Sequence, residues 1–286
     1  MKIIEKQFGY QNPRPKISVI IVAYKTNLEL RDCLDSLNKQ TYKNFETIVV
    51  DNDYESTEML KHYSLRYYRL GKNYKPSYAR NYGAKNARGT LLAFLDDDAI
   101  TDKHWTLGIF NAFQDQATVA IRGKILPKST NNIYTLMSNT YDLGESILDS
   151  PITLEGNCAV RRKEFLNVDG FDPKLYGHEG VDLSYKLLNY GRQLYVPNVV
   201  IYHNSSDNLR HYLKREFRHG YNSSLHYHEC PEIVLYLNRF KHLWAIKNTY
   251  KLNTIQKFHI IVIRALSRAA FHIGSLLYRA RSISLR

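Results

Sequence analysis

The chain has 286 residues, 44% of them hydrophobic and 13% aromatic, with 40 Lys and Arg against 27 Asp and Glu for a formal charge of +13. That length and apolar content are enough for a large packed core and exclude a chain that is mostly disordered. Its 3 cysteines, Cys33, Cys158 and Cys230, are odd in number and form no CxxC pair. They suggest neither a disulfide framework nor a zinc module, and a reducing compartment is expected.

Met1 to Lys16 holds no apolar run of signal-peptide length, so a cytoplasmic location is expected. Pro13 and Pro15 then precede Ile17-Ser-Val-Ile-Ile-Val-Ala23, a β-branched run that reads as a strand buried on both faces of a parallel sheet. Leu28, Leu30, Leu34 and Leu37 follow near helical spacing through Asn38, with Asn27 as the expected cap. Phe45 to Val50 makes the next strand, ending at Asp51. Strand, helix and strand in this order form a βαβ unit, which places ligands at the carboxyl ends of parallel strands.

A weak strand is expected near Tyr67-Tyr68, a helix from Ser77 to Ala87, and a strand from Thr90 to Leu95 that runs into Asp96-Asp97-Asp98. A helix over His104 to Gln114 and a strand over Val119 to Leu126 come next, and Ser129 to Ile152 reads as a loop or flap. Strands are expected at Leu154 to Arg161 and Tyr195 to Tyr202, with helices at Arg162 to Val168 and Glu179 to Tyr190 between them. After Asp207 the pattern is helical. The expected domains are therefore a catalytic part over 1–207 and a basic helical extension over 208–286.

Three features carry chemistry. Asp51-Asn52-Asp53 closes a strand with groups able to hydrogen-bond a nucleobase edge, although Asn and Asp are equally at home in a plain turn. Three adjacent carboxylates at 96–98 repel one another, and an oxygen-only set suits a hard divalent cation such as Mg2+ or Mn2+, against the alternative of a solvated turn. Arg80, in Ala79-Arg-Asn-Tyr-Gly83, offers a fork of donors to a phosphate or base, or else a solvated helix charge.

Taken with Gln40-Thr-Tyr-Lys-Asn-Phe-Glu-Thr-Ile-Val-Val-Asp-Asn52, Phe94-Leu-Asp-Asp-Asp98, Glu155-Gly-Asn-Cys-Ala-Val-Arg-Arg162, Val168-Asp-Gly-Phe-Asp172 and His178-Glu-Gly-Val-Asp-Leu-Ser-Tyr185, these motifs give the chain a likeness. From about Lys16 to His203 it resembles a family 2 glycosyltransferase of GT-A fold. The resemblance implies a Rossmann-like, mostly parallel sheet flanked by helices, and inverting transfer from a nucleotide-sugar to a glycan or lipid-linked acceptor. It implies a nucleotide-sugar site that includes Ala23, Asp51 and Asn52 near the base, with Arg80, Asp96 and Asp97 beyond them. Gly156 and Asn157 would line the sugar and acceptor pocket, and Arg218 would close over the diphosphate. Asp96 and Asp98 match the DxD acids that hold Mn2+ or Mg2+, and His203 stands as a further metal or phosphate contact or a surface histidine. In the family a Glu-Asp pair before the late helix supplies the base. Here it reads Glu179-Gly180, so Glu179 or Asp182 has to act.

From His203 onward there are 14 Lys and Arg against 4 Asp and Glu, so +10 of the charge lies in the last third, with 8 of the 11 His. Such asymmetry points to an anionic partner. Nucleic acid is disfavoured, because no recognition motif accompanies the charge and the acidic run would repel phosphate without a metal. A catalytically silent scaffold is the third reading, suggested by Gly180. No run reaches the roughly 20 apolar residues of a spanning helix, since Phe258 to Ile263 is flanked by Lys257 and Arg264. The tail from Ile255 to Arg281 is instead amphipathic. It is expected either to lie on the anionic inner face of the cell membrane or to pack against the catalytic part.

Overall fold

In the computed structural model the described residues are 3–24, 28–52, 58–129, 133–134, 142–175, 177–204, 206, 208–240, 242–243 and 254–284. The first half runs β1 (Ile4–Phe8), β2 (Ile17–Ala23), α1 (Leu28–Asn38), β3 (Phe45–Asp51), a 3-10 turn (Met59–His62), β4 (Leu65–Arg69), α2 (Pro76–Asn86) and β5 (Leu91–Asp96). Then come β6 (Ile100–Thr101), α3 (Trp105–Ala112), β7 (Thr118–Leu126), β8 (Leu148–Asp149), β9 (Asn157–Arg161), α4 (Arg162–Asn167), α5 (Glu179–Lys186) and β10 (Arg192–Tyr202). Three helices follow: α6 (Leu209–Glu229), α7 (Glu232–Asn238) and α8 (Thr254–Ser284). Asn27 and Asp53, named above as a cap and a turn acid, lie outside the described residues. The chain divides into two compact units, Met1–Ile125 with Glu145–Tyr202, and Leu126–Gly144 with His203–Arg286.

The first unit is built on one mixed sheet in the order β1-β4-β3-β2-β5-β9-β7-β10-β6, with β8 beside β10. Strands β4, β3, β2 and β5 are parallel, and β9 joins β5 antiparallel. The parallel strands are apolar because both faces are covered: Ile17, Val19, Ile20 and Ile21 of β2 are fully buried, as are Ile48, Val49 and Val50 of β3. Burying each such side chain contributes roughly 1.5–3 kcal/mol. On one face Phe94, Phe165 and Phe171 pack ring to ring at 5.0–5.4 Å beneath α2, α4 and α5. Gly83 lets α2 come close: a Cβ there would sit 2.6 Å from Ile20 Cγ2, so Gly83→Ala would push the helix off the sheet.

Strand β1 escaped the sequence reading because Ile4-Glu-Lys-Gln-Phe8 has little apolar character. Among the described residues it is an edge strand paired with β4, and its first four residues are exposed. Strand β9 begins at Asn157, not Leu154, because Glu155 and Gly156 form a turn. The register then sets up the site. Ala23 lies opposite Asp51, Val22 opposite Asp96, and Leu95 opposite Asn157. Tyr202, at the end of β10, lies opposite Ile100, two residues past Asp98.

In the second unit α6 and α8 pair through small residues. A Cβ on Gly220 would overlap the carbonyl oxygen of Phe271, and one on Gly274 would overlap that of Phe217. Ser224 and Ser275 hydroxyls meet at 2.6 Å, Ser267 donates to Glu216 at 3.2 Å, and Tyr221 stands edge-on to Tyr278 at 5.5 Å. The inward residues of α8, Ile260, Ile263, Ser267 and Gly274, fall within about 60° at 100° per residue. Arg264, Arg268 and Arg279 form a second stripe. A third holds Phe258, Val262, Leu266, Ile273 and Leu276, which are 43–64% exposed.

One expectation is corrected here. The sequence showed no segment fit to span a bilayer, yet Phe258–Ala280 of α8, 23 residues, is long and apolar enough by length and composition. The arginines that interrupt the run in sequence occupy one stripe of the helix, and Phe258, Val262, Leu266, Ile273 and Leu276 line another.

Candidate active site

The carboxyl ends of β2, β3 and β5 lie side by side, and each carries one of the expected residues. Asp51 is fully buried and accepts a hydrogen bond from the Tyr67 hydroxyl. Asn52 accepts the Tyr74 amide at 2.6 Å and donates to Asn73 Oδ1 at 3.1 Å and to the Tyr74 carbonyl. Its own amide donates to the Ala23 carbonyl at 2.9 Å. Residues 51–52 thus tie β2 and β4 to the loop before α2.

At the end of β5 the three carboxylates separate. The Asp96 carboxylate accepts Arg80 Nη2 at 3.0 Å and lies over Gly156, where any Cβ would overlap its Oδ2. Asp97 turns back to accept the Tyr24 amide at 3.1 Å. Asp98 is half-buried in the turn closed by the Ala99 amide on the Asp96 carbonyl at 3.1 Å. Arg80, on α2, is only 11% exposed along its side chain and sits 5.9 Å from the Phe171 ring centre. Burial pulls its pKa down, but Asp96, Glu155 and Glu179 together hold it above the ordinary value.

Helix α5 supplies the next acid. Glu179 is 3% exposed and accepts Ser77 Oγ at 3.0 Å and the Gly177 amide at 2.6 Å. The approach is strained: Gly177 and His178 both have positive φ, +84° and +110°, and the second is a rare conformation for a residue with a Cβ. Asp182, one turn on, is paired with Lys186 at 2.6 Å. Facing the start of α5 is Glu155, which accepts the Gly180 amide. Burial, reinforced by the neighbouring Glu179 charge and opposed by Arg80, pushes its pKa up to about 7.

Arg80, Asp96, Glu179 and Gly156 therefore meet in one cluster with Glu155, a residue of the Glu155–Arg162 motif that was not among the expected site residues. The signal was an acid directly before the Gly156-Asn157 turn into the strand that pairs with β5. Asn157, expected along the pocket wall, is fully buried. It donates to the Lys124 and Val199 carbonyls at 3.0 and 3.1 Å and accepts Trp105 Nε1 at 2.9 Å, so its amide fixes the sheet beneath Gly156. His203 and Arg218 belong to the second unit. The His203 amide donates to the Leu126 carbonyl at 2.9 Å, and the Arg218 carbonyl on α6 accepts Asn222 Nδ2 at 2.9 Å.

The model of the family described as Glycosyl transferase family 2 matches residues 18–169, more than half of the chain. An uncharacterized glycosyltransferase of Rickettsia bellii is 28% identical over 200 residues, 65% of this chain and 29% of that protein. The minor teichoic acid biosynthesis protein GgaB of Bacillus subtilis is 32% identical over 120 residues, 39% of this chain and 13% of that protein. The chain thus spans a third or less of the length of these relatives. Among solved structures, the mannosyltransferase PcManGT from Pyrobaculum calidifontis, in complex with GDP-Man and Mn2+, superposes with a TM-score of 0.61 at 16% identity, covering 95% of this chain and 76% of that one. At that identity the likeness shows the fold, which is GT-A, while the matched family model carries the assignment: the chain belongs to glycosyl transferase family 2.

Proposed function

We propose that the protein is an inverting glycosyltransferase that moves a sugar from a nucleoside-diphosphate donor to a glycan or lipid-linked acceptor in the assembly of a bacterial surface polysaccharide. The observation that carries this reading is the cluster of Arg80, Asp96, Glu155 and Glu179 at the carboxyl ends of the parallel strands, beside Asp98. The names of the relatives support it: a teichoic acid biosynthesis protein, and a mannosyltransferase held with GDP-Man and Mn2+.

The residues fit a hard divalent cation, Mn2+ or Mg2+. Asp97 is drawn away to the Tyr24 amide, and the remaining donors at the end of β5 are the oxygens of Asp96 and Asp98. A cation held there would offset the charge of the departing diphosphate. The Ala23 end of β2, Asp51 and Asn52 form the nucleobase side, Arg80 orients Asp96 toward the ribose, and Gly156 keeps the backbone low beside the sugar. The acceptor proton passes to a carboxylate of the Glu155–Glu179 pair; Asp182, paired with Lys186, stands outside that pair.

A panel of UDP, GDP and dTDP sugars tests the donor class by thermal shift with and without Mn2+. One nucleotide should raise Tm in a Mn2+-dependent way, and Asp98→Asn should abolish that rise. No shift with any of them would defeat the reading.

The outer stripe of α8 favours peripheral attachment to the cytoplasmic face of an anionic membrane, because packing on α6 uses a different stripe and leaves Phe258, Val262, Leu266, Ile273 and Leu276 exposed beside arginines. Val262→Asp with Leu276→Asp should lower pelleting with phosphatidylglycerol vesicles. Unchanged pelleting would remove the attachment.

A further inference from the structure

Position 180 is the one place in the cluster where a carboxylate is expected and none is present. The structure shows what fills that space. An ideal Cβ on Gly180 would stand 2.9 Å from Glu155 Oε1 and 3.1 Å from Ile152 Cγ2. The Gly180 amide donates to that same Glu155 oxygen, so the Glu155 carboxylate sits against the start of α5 where a side chain from 180 would project.

The four carboxylates nearby are not equivalent. Asp96 is paired with Arg80, and Asp182 with Lys186. Glu179 is 3% exposed, with one oxygen on Ser77 and the other on the Gly177 amide. Glu155 is half-buried, and among the described residues no side chain donates to it. A group that takes a proton from an incoming hydroxyl needs an oxygen free to receive it and enough exposure to be reached.

We infer that Glu155, reaching across from the turn before β9, is the catalytic base of the transfer and supplies the carboxylate that position 180 lacks, with Glu179 as its positioning partner. The inference rests on the glycosyltransferase reading above. As the acceptor oxygen bonds to the anomeric carbon, its proton passes to Glu155 Oε2, the bond from that carbon to the diphosphate oxygen breaks, and its electron pair leaves with the nucleoside diphosphate. The proton affinity of Glu155, raised by burial and by Glu179, suits that task near neutral pH.

A side chain at 180 would have to displace the Glu155 carboxylate, and that contact provides a reciprocal test. Release of nucleoside diphosphate is followed with the UDP-, GDP- or dTDP-sugar that stabilises the wild-type protein, with water and added sugars as acceptors. Glu155→Gln, which can keep the hydrogen bond from Gly180, should lower kcat by about 100-fold or more. It should keep donor KM and the Mn2+-dependent thermal shift within about threefold of wild type. Gly180→Asp alone should lose turnover because the new side chain meets Glu155, while Glu155→Ala combined with Gly180→Asp should recover at least about tenfold over Glu155→Ala. Glu155→Gln turning over within about threefold of wild type overturns the inference and leaves the transferase reading intact. So does a double variant no faster than Glu155→Ala. A wild-type protein that neither binds nor consumes any of these sugars overturns both.

Discussion

Two arginine–carboxylate clusters lie at opposite ends of the parallel strands, and they are built to different balances. At the amino ends, Glu46 of β3 accepts Arg66 Nη1 at 3.2 Å, Ser18 Oγ at 2.6 Å and the Arg88 amide at 2.7 Å. Ser18 in turn accepts the Gly89 amide at 2.8 Å, and Arg66 also donates to the Asn86 carbonyl at 2.7 Å. One buried carboxylate faces one buried guanidinium, and both of its oxygens are satisfied. At the carboxyl ends a single guanidinium, Arg80, serves Asp96, Glu155 and Glu179, so negative charge is in excess. The first arrangement closes the sheet. The second holds carboxylates whose charge is only partly compensated, which is what proton transfer and cation binding require.

The contrast makes unequal predictions. Arg66→Met leaves Glu46 buried without its cation and should cost about 3–5 kcal/mol of stability, read as a fall in Tm, while turnover per folded molecule is unchanged. An equal loss of turnover would mean that the two ends are not separate. Arg80→Met should do the reverse, lowering turnover by about 100- to 1000-fold through loss of the donor that orients Asp96. Retained turnover would reduce that end to a structural ion pair as well.

The smallest effect is in pH. The groups facing Glu155 are Glu179 and the Gly180 amide on α5, Arg80 on α2 and the Cys158 thiol on β9. With its pKa near 7, the acidic limb of the rate profile should rise through about pH 7. Glu179→Gln removes a neighbouring charge that raises the Glu155 pKa, so the limb should move to lower pH. A limb that does not move would separate the two acids. The stability sign is opposite. Between the ordinary carboxyl value of 4.5 and about 7 the folded chain binds more protons than the unfolded one, so stability falls as pH rises through that window. Glu155→Gln should flatten that fall.

The parallel half of the fold was legible in the sequence because strands buried on both faces are written as unbroken apolar runs; Ile17–Ala23 begins and ends where the pattern does. The edge strand Ile4–Phe8 and the two-residue strands Ile100–Thr101 and Leu148–Asp149 were not, since short or half-exposed strands leave no such run. At the site the motif residues Asp51, Asn52 and Asp96 were placed at the ends of the right strands, and Arg80 inside the right helix. Glu155 was missed because its role depends on the absence of a side chain 25 residues away, on a different element. Linear spacing cannot show that one residue occupies another's empty space. On α8 the basic stripe and the apolar stripe of Phe258, Val262, Leu266, Ile273 and Leu276 were legible on a helical wheel, whereas the stripe of Ile260, Ile263, Ser267 and Gly274 was not, because a wheel shows which residues share a face but not which face meets α6.

The approach of Gly220 to the Phe271 carbonyl, and of Gly274 to that of Phe217, bears on where the helical pair can exist. Helices joined by bulky apolar side chains are held largely by water's exclusion of those side chains and loosen when water is replaced by hydrocarbon. Contact between backbones, helped by a serine pair, depends on close dispersion and polar contacts that oil does not weaken. The Gly220 and Gly274 end of the α6–α8 contact is therefore less dependent on its solvent than the end where Tyr212, Ile260 and Ile263 meet.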